Sequence, residues 1–189
     1  VPSSSERRPP RFVRDIDRAL DTIKLHACPH CAARGTLNGH GWLRGYAETS
    51  SEMERRGRRV LCSNRNRRKG CGRTLSIFLA DVIPSFSTRT RTLSRMLLAI
   101  VSGLSIRASW LAVRPSGTSL RNACRLMQRI TREQPRLRSM ACRVEPPPLP
   151  SHDAASHPLS QFVAHLQAAF SATPCFFESL QLHMQEALF

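Results

Sequence analysis

Lysine is almost missing from this chain: of 29 basic residues only Lys24 and Lys69 are lysines, and the rest are arginines. Aromatic residues are also scarce, 6% of 189 residues, which leaves few flat faces to stack on unpaired bases. No apolar run reaches the roughly 18–20 residues that a bilayer-crossing helix requires. The best, Met96 to Ile106, is interrupted by Ser102, Gly103 and Ser105. The leading residues VPSSSERRPPR carry no hydrophobic stretch of signal-peptide type. The expectation is therefore a cytoplasmic chain with no membrane partner. No Ser/His/Asp arrangement, P-loop or dinucleotide fingerprint is present. A carboxylate triad would need Asp81, Asp153 and Glu178 or similar residues from unlike segments, so a non-enzymatic protein is expected. The length suits one or two small domains.

Negative charge is the other shortage, and it is unevenly placed. Residues 1–144 hold all 29 basic and 9 of the 13 acidic residues, a balance of +20. Residues 145–189 hold no Lys or Arg and four acids, Glu145, Asp153, Glu178 and Glu186. Codon bias in a GC-rich genome exchanges Lys for Arg without selection on binding, and it accounts for the preference but not for the total. The excess predicts a polyanionic partner, above all nucleic acid. Arginine suits that role, because its planar fork grips phosphate or guanine bidentately.

Composition divides the chain into five stretches, and no internal repeat is visible. Residues 1–24 read as a basic arm, with a short helix over Phe12 to Ile23 whose face carries Phe12, Ile16, Ala19, Leu20 and Ile23. Residues 25–78 turn to cysteines, glycines and short apolar pairs, the pattern of a small stapled β unit. Residues 86–142 are helical in pattern. The linker, 143–157, contains EPPPLP (Glu145 to Pro150), which reads as a stiff extended spacer. The acidic tail, 158–189, predicts two amphipathic helices, about 158–171 and 175–188. Their apolar faces are Leu159, Phe162, Val163, Leu166 and Phe170, then Phe177, Leu180, Met184 and Leu188. The tail histidines 152, 157, 165 and 183 are too widely spaced for a local metal motif and are expected at the surface. The fold class expected is α+β: short antiparallel strands, then helices.

Four of the seven cysteines form a pattern. Cys28-Pro29-His30-Cys31 is followed after a gap by Cys62 and Cys71, with SNRNRRKG between the second two. Two cysteines two residues apart turn backbone amides toward their thiolates, and a second pair on a neighbouring hairpin closes a tetrahedral site. Cys71-Gly72 has the tight-turn chemistry of such a knuckle, and the polar insert projects as a loop between ligands. One structural Zn²⁺ held by Cys28, Cys31, Cys62 and Cys71 is expected. His30 or His40 in place of one cysteine, a disulfide framework and unrelated buried thiols are the readings left beside it. Cys124, Cys142 and Cys175 read as core or partly exposed thiols.

CPHCAARGTLNGHGWLRGY, followed by RGRRVLCSNRNRRKGCGRTLS, resembles the N-terminal zinc ribbon of insertion-sequence transposases. Cys71-Gly72-Arg73-Thr74-Leu75-Ser76 matches their Cys-Gly-Arg-Thr-Phe-Ser with Leu for Phe, and the Cys62–Cys71 gap is longer than theirs. The likeness covers about residues 26–78. It implies a following helix-turn-helix, and a transposition accessory or regulatory protein without the carboxylate catalytic domain.

The residues support that implication separately. Leu93, Met96, Leu97, Ile100 and Val101 form a helical stripe that Gly103 ends. Ser105 can cap a second helix, Ile106 to Val113, with Ile106, Trp110 and Val113 inward. After Pro115-Ser116-Gly117, Ser116 or Thr118 can cap a third helix running to about Arg132. Its inner side is Leu120, Ala123, Cys124, Met127 and Ile130; its outer side is Arg121, Arg125, Arg129 and Arg132, with Asn122 at the edge. A recognition helix needs long donors on one face and packing on the other. Double-stranded DNA is thus the expected partner and the nucleoid the expected location. Arg121, Asn122, Arg125, Arg129 and Arg132 are the expected contacts, with Arg65, Arg67, Arg68, Lys69 and Arg73 of the ribbon adding phosphate contacts. A second copy of the chain or a transposition partner protein would complete the assembly. The competing reading is an RNA- or ribosome-associated zinc ribbon, and a three-helix bundle with a solvated basic face is the bland one.

Overall fold

Local chemistry already dictates where the first helix begins. In the computed structural model, which describes residues 8–65, 69–113, 119–148 and 157–189, Asp15 caps α1 (Ile16–Thr22) by accepting from the Arg18 amide at 3.1 Å. A 3₁₀ turn, Ile23–Leu25, follows. Ahead of the cap, β1 (Phe12–Val13) pairs in parallel with β4 (Thr74–Leu79), Phe12 beside Phe78. Phe12 and Val13, within the stretch read as an arm, are thus built into the sheet. Phe12, Ile16, Ala19 and Ile23 are buried as the apolar pattern required, but Phe12 does so from a strand. The reason is that Phe12 stacks on Phe78 at 6.0 Å between ring centres.

The sheet is mixed, in the order β1-β4-β3-β2, with β2 spanning Leu37–Tyr46 and β3 Met53–Cys62. β3 and β4 run antiparallel, Val60 opposite Leu75 and Leu61 opposite Thr74. Together with the helices this makes the class α+β. Two compact units result: Val1–Gly45 with Met53–Leu79, and Tyr46–Glu52 with Ala80–Phe189. The first buries a small cluster of Ile23, Cys28, Leu37, Val60, Cys62 and Ile77.

The second unit is helical: α2 (Thr90–Val101), α3 (Ile106–Val113), α4 (Leu120–Cys142), α5 (Pro158–Ala169) and α6 (Phe176–Met184). Gly103, at φ 102°, ends α2 as its lack of Cβ allows. Ser105 caps α3 by accepting from the Ala108 amide at 3.1 Å. Ser119 precedes α4 without a side-chain cap; the expected caps Ser116 and Thr118, and Gly117, lie outside the described residues. α4 runs ten residues past Arg132, through Pro135. Proline forfeits one helical hydrogen bond, but position 135 is exposed and Leu137, Met140 and Ala141 beyond it are buried. Packing of that last turn and a half holds the helix across the break.

The tail helices are part of this core. Leu159, Phe162, Val163, Leu166 and Phe170 of the first, and Phe177, Leu180 and Leu188 of the second, join Leu93, Met96, Leu97, Trp110, Leu126 and Ile130 in one buried cluster. Gln181, fully buried, donates to the carbonyls of Ala80 (2.7 Å) and Val82 (3.0 Å) and accepts from the Leu188 amide (3.4 Å). Those bonds tie the chain's last residues to the strand exit before α2.

Several expected facings are corrected. Leu120 and Cys124 of α4 are exposed, and Leu126 takes an inward place. Ile106 is exposed, and Ser109 is buried beside Trp110. His165 is buried, with Nε2 2.8 Å from the Glu145 carbonyl, where a surface histidine was expected. In each case neighbours from other helices decide which arc is covered, and a helical wheel sees none of them.

Candidate functional site

The first site grows from two tight turns. After the 3₁₀ turn the chain folds back so that the Cys28 amide donates to the Ala33 carbonyl (2.9 Å) and the Ala32 amide to the Cys28 carbonyl (2.8 Å). The His30 amide is thereby aimed at Cys28 Sγ, 3.4 Å away. The second turn opens at the end of β3. The Cys62 amide donates to the Arg73 carbonyl and the Gly72 amide to the Cys62 carbonyl, both at 2.9 Å, and the Cys71 amide points at Cys62 Sγ at 3.3 Å. Two glycines permit it. Gly72 sits at φ 74°, and a Cβ on Gly70 would collide with the Ser63 carbonyl oxygen. That close approach brings Cys71 back beside Cys62 despite the eight residues between them, so the long insert leaves the ladder and returns to it.

The four sulfurs converge. Cys28 Sγ lies 3.8 Å from Cys71 Sγ, and Cys31 Sγ 3.7 Å from Cys62 Sγ. All four fall within 4.8 Å of one another, a set able to hold a metal ion. Among the described residues neither His30 nor His40 belongs to it, and all the cysteines are free thiols. The sulfurs differ in acidity. Burial pushes the Cys28 thiol up to about 12, against the pull of the His30 and Cys31 amides. Burial acts the same way on Cys62, but the Thr36 hydroxyl (3.2 Å), the Cys71 amide and the neighbouring thiols outweigh it and bring that thiol down to about 7. Cys62 is thus partly thiolate near neutrality, and Cys28 releases its proton to an incoming cation.

Compared with family models, curated proteins and solved structures, the chain matches none of them. The site's chemistry must be argued from its own residues.

The second site is α4, which has two differently used halves. In the first half Arg121, Arg125 and Arg129 are exposed, opposite the buried Ala123, Leu126 and Ile130. Arg132 is exposed too, and its Nε meets Glu133 at 3.4 Å. In the second half the arginines are engaged. Arg136 donates to the carbonyls of Ala187 (2.9 Å) and Leu188 (2.6 Å) and pairs with Glu133 and Glu186. Arg138 donates to the Pro158 carbonyl at 2.7 Å, and Arg143 pairs with Glu186 at 3.8 Å. The tail therefore engages the arginines of one end of the helix, through the Glu186 carboxylate and the carbonyls of Pro158, Ala187 and Leu188.

Of the phosphate contacts expected in residues 25–78, Arg65, Lys69 and Arg73 are exposed near the cysteine cluster's second turn, and Arg67 and Arg68 lie outside the described residues. Two features went unpredicted. Trp42 carries Arg55 at 4.1 Å and Arg58 at 4.3 Å from its ring centre, a stack that occupies the indole. A groove of about 620 Å³ runs beside α4, lined by Arg125, Arg129, Arg132, Ser85, Ser87 and Tyr46 among others. Neither has a sequence signal, because cross-strand and cross-segment neighbours make them.

Proposed function

We propose that the protein binds duplex DNA, with a structural zinc ion folding its first unit and the exposed arginine face of α4 supplying the grip. The observation that carries the reading is the split of α4 into a buried stripe, Ala123, Leu126 and Ile130, and an exposed stripe, Arg121, Arg125 and Arg129. α3 and α4 act in this reading as the two helices of a helix-turn-helix, with α4 entering the major groove.

The donor set favours zinc. A tetrahedral ion with metal–sulfur bonds of about 2.3 Å has sulfur–sulfur edges of about 3.8 Å, and the two closest pairs stand at 3.8 and 3.7 Å. Four sulfurs leave no open position for water or substrate, so the ion's role is structural. The likeness of residues 26–78 to transposase ribbons supports a transposition accessory or a regulator derived from one. Arg55 and Arg58 already stack on Trp42, which weighs against a sheet that reads single-stranded RNA by stacking on it.

The test is a titration of zinc-loaded protein with labelled duplex at two salt concentrations. Three to five phosphate contacts give a log–log slope of about −3 to −5. A binding constant indifferent to salt and to Arg125→Ala would remove the reading.

A further inference from the structure

We infer that the groove beside α4 holds an unpaired nucleotide, so that the protein prefers DNA carrying a single-stranded end over blunt duplex. This rests on the DNA-binding reading and deepens it. The groove's volume, about 620 Å³, falls within the range of about 300–1,000 Å³ that encloses small ligands, and a flat protein face on a duplex needs no such hollow.

Its lining sorts into the two halves of a nucleotide. Arg125, Arg129 and Arg132 stand at i, i+4 and i+7 along one stripe of α4. At 1.5 Å per residue that stripe is about 10 Å long, the reach of about two successive phosphates of one strand. Among the described residues no carboxylate lines the groove, so an anion meets no repulsion from these walls. Tyr46, the chain's one tyrosine, lines it as well and is 63% exposed. Its ring is a stacking face without a packing role to justify it, unlike Trp42, which its arginines cover. The hydroxyls of Ser85 and Ser87 supply short donors and acceptors for a base edge or sugar. They are held by a tight turn. Ser85 takes φ 70°, the Phe86 amide donates to the Ile83 carbonyl at 3.1 Å, and Phe86 packs edge-on against Phe189 at 5.7 Å. A duplex offers no base to such a pocket; a strand end does.

The experiment compares full-length, zinc-loaded protein on two labelled duplexes of one sequence, blunt and with a three-nucleotide overhang. The expected result is about tenfold tighter binding of the overhang, the size of one base–aromatic stack. Tyr46→Ala should erase that preference while leaving blunt-duplex affinity within about twofold, and Tyr46→Phe should keep it because stacking needs only the ring. Equal affinity of the wild-type chain for both duplexes, or a preference that survives Tyr46→Ala, overturns the inference and leaves duplex binding standing. Failure to bind either duplex overturns the DNA reading itself.

Discussion

The two units reach stability by different routes. Among the described residues the helical unit buries one continuous cluster of 21, which includes side chains from all five of its helices. Among the described residues the sheet unit's cluster has six, with Phe12, Ile16 and Ala19 buried in the same unit, and two of the six, Cys28 and Cys62, belong to the candidate metal centre. A core that small falls short of the conformational entropy of ordering its chain. In the sheet unit, then, the residues that would form a core and the residues that would hold the metal are partly the same. One unit is organised around four cysteines able to hold a metal ion, and the other around apolar side chains with Arg121, Arg125 and Arg129 left outside.

Removing the metal is the strongest way to break this comparison. Binding energies of structural zinc in small domains are about 10–16 kcal/mol, and that energy is folding energy. Chelation, or Cys62→Ser, should therefore unfold the sheet while the helices persist. Amide exchange followed residue by residue checks it: β3 and β4 should lose protection and α2 and α4 should keep it. Retention of a protected sheet in a metal-free chain would show that the six-residue cluster suffices. The converse lies in Phe177, fully buried between Phe162 and Phe176 at 6.5 and 4.8 Å. Phe177→Ala should cost about 3–5 kcal/mol of helical-unit stability, read from denaturant midpoints, and leave metal stoichiometry at one.

What the sequence made legible follows the same line. Cysteine chemistry is local, so Cys28, Cys31, Cys62 and Cys71 could be grouped from spacing and turn residues alone. The caps at Asp15 and Ser105 and the stop at Gly103 are local too, although Phe12 to Ile23 reads as one helix until Phe78 is known to lie beside Phe12. Non-local facts were hidden. Nothing in the period of α4 tells that Leu120 and Cys124 face out, because the covered arc is set by the helices packed against it. The survival of α4 beyond Pro135 depends on Leu137, Met140 and Ala141 finding the tail helices. The groove draws on residues near 46, 85 and 125, three segments with no shared pattern.

A smaller effect probes how the tail is joined to this core. Gln181→Ala would leave the carbonyls of Ala80 and Val82 buried without their donor. An orphaned polar group costs about 1–3 kcal/mol, so the midpoint of helical unfolding should fall by that amount with no change in metal content. A neutral result would mean that water reaches those carbonyls.

The smallest effects separate the two halves of α4. Arg125 is exposed and lines the groove, whereas Arg138 donates to the Pro158 carbonyl. Arg125→Ala should weaken duplex binding by about 1–3 kcal/mol if the side chain reads a guanine, with specificity relaxed at one base pair. Arg138→Ala should leave both affinity and salt slope near wild type, because its guanidinium is held at the Pro158 carbonyl. Lys69→Ala, in the loop between Cys62 and Cys71, makes a third class. An exposed phosphate contact carries no sequence information, so its loss should lower affinity alike on every duplex and flatten the salt slope by about one unit. Titrations of the three variants on two unrelated duplexes at several salt concentrations distinguish these outcomes. If Arg138→Ala weakens binding as much as Arg125→Ala, the tail does not divide the helix, and its whole basic face meets the DNA.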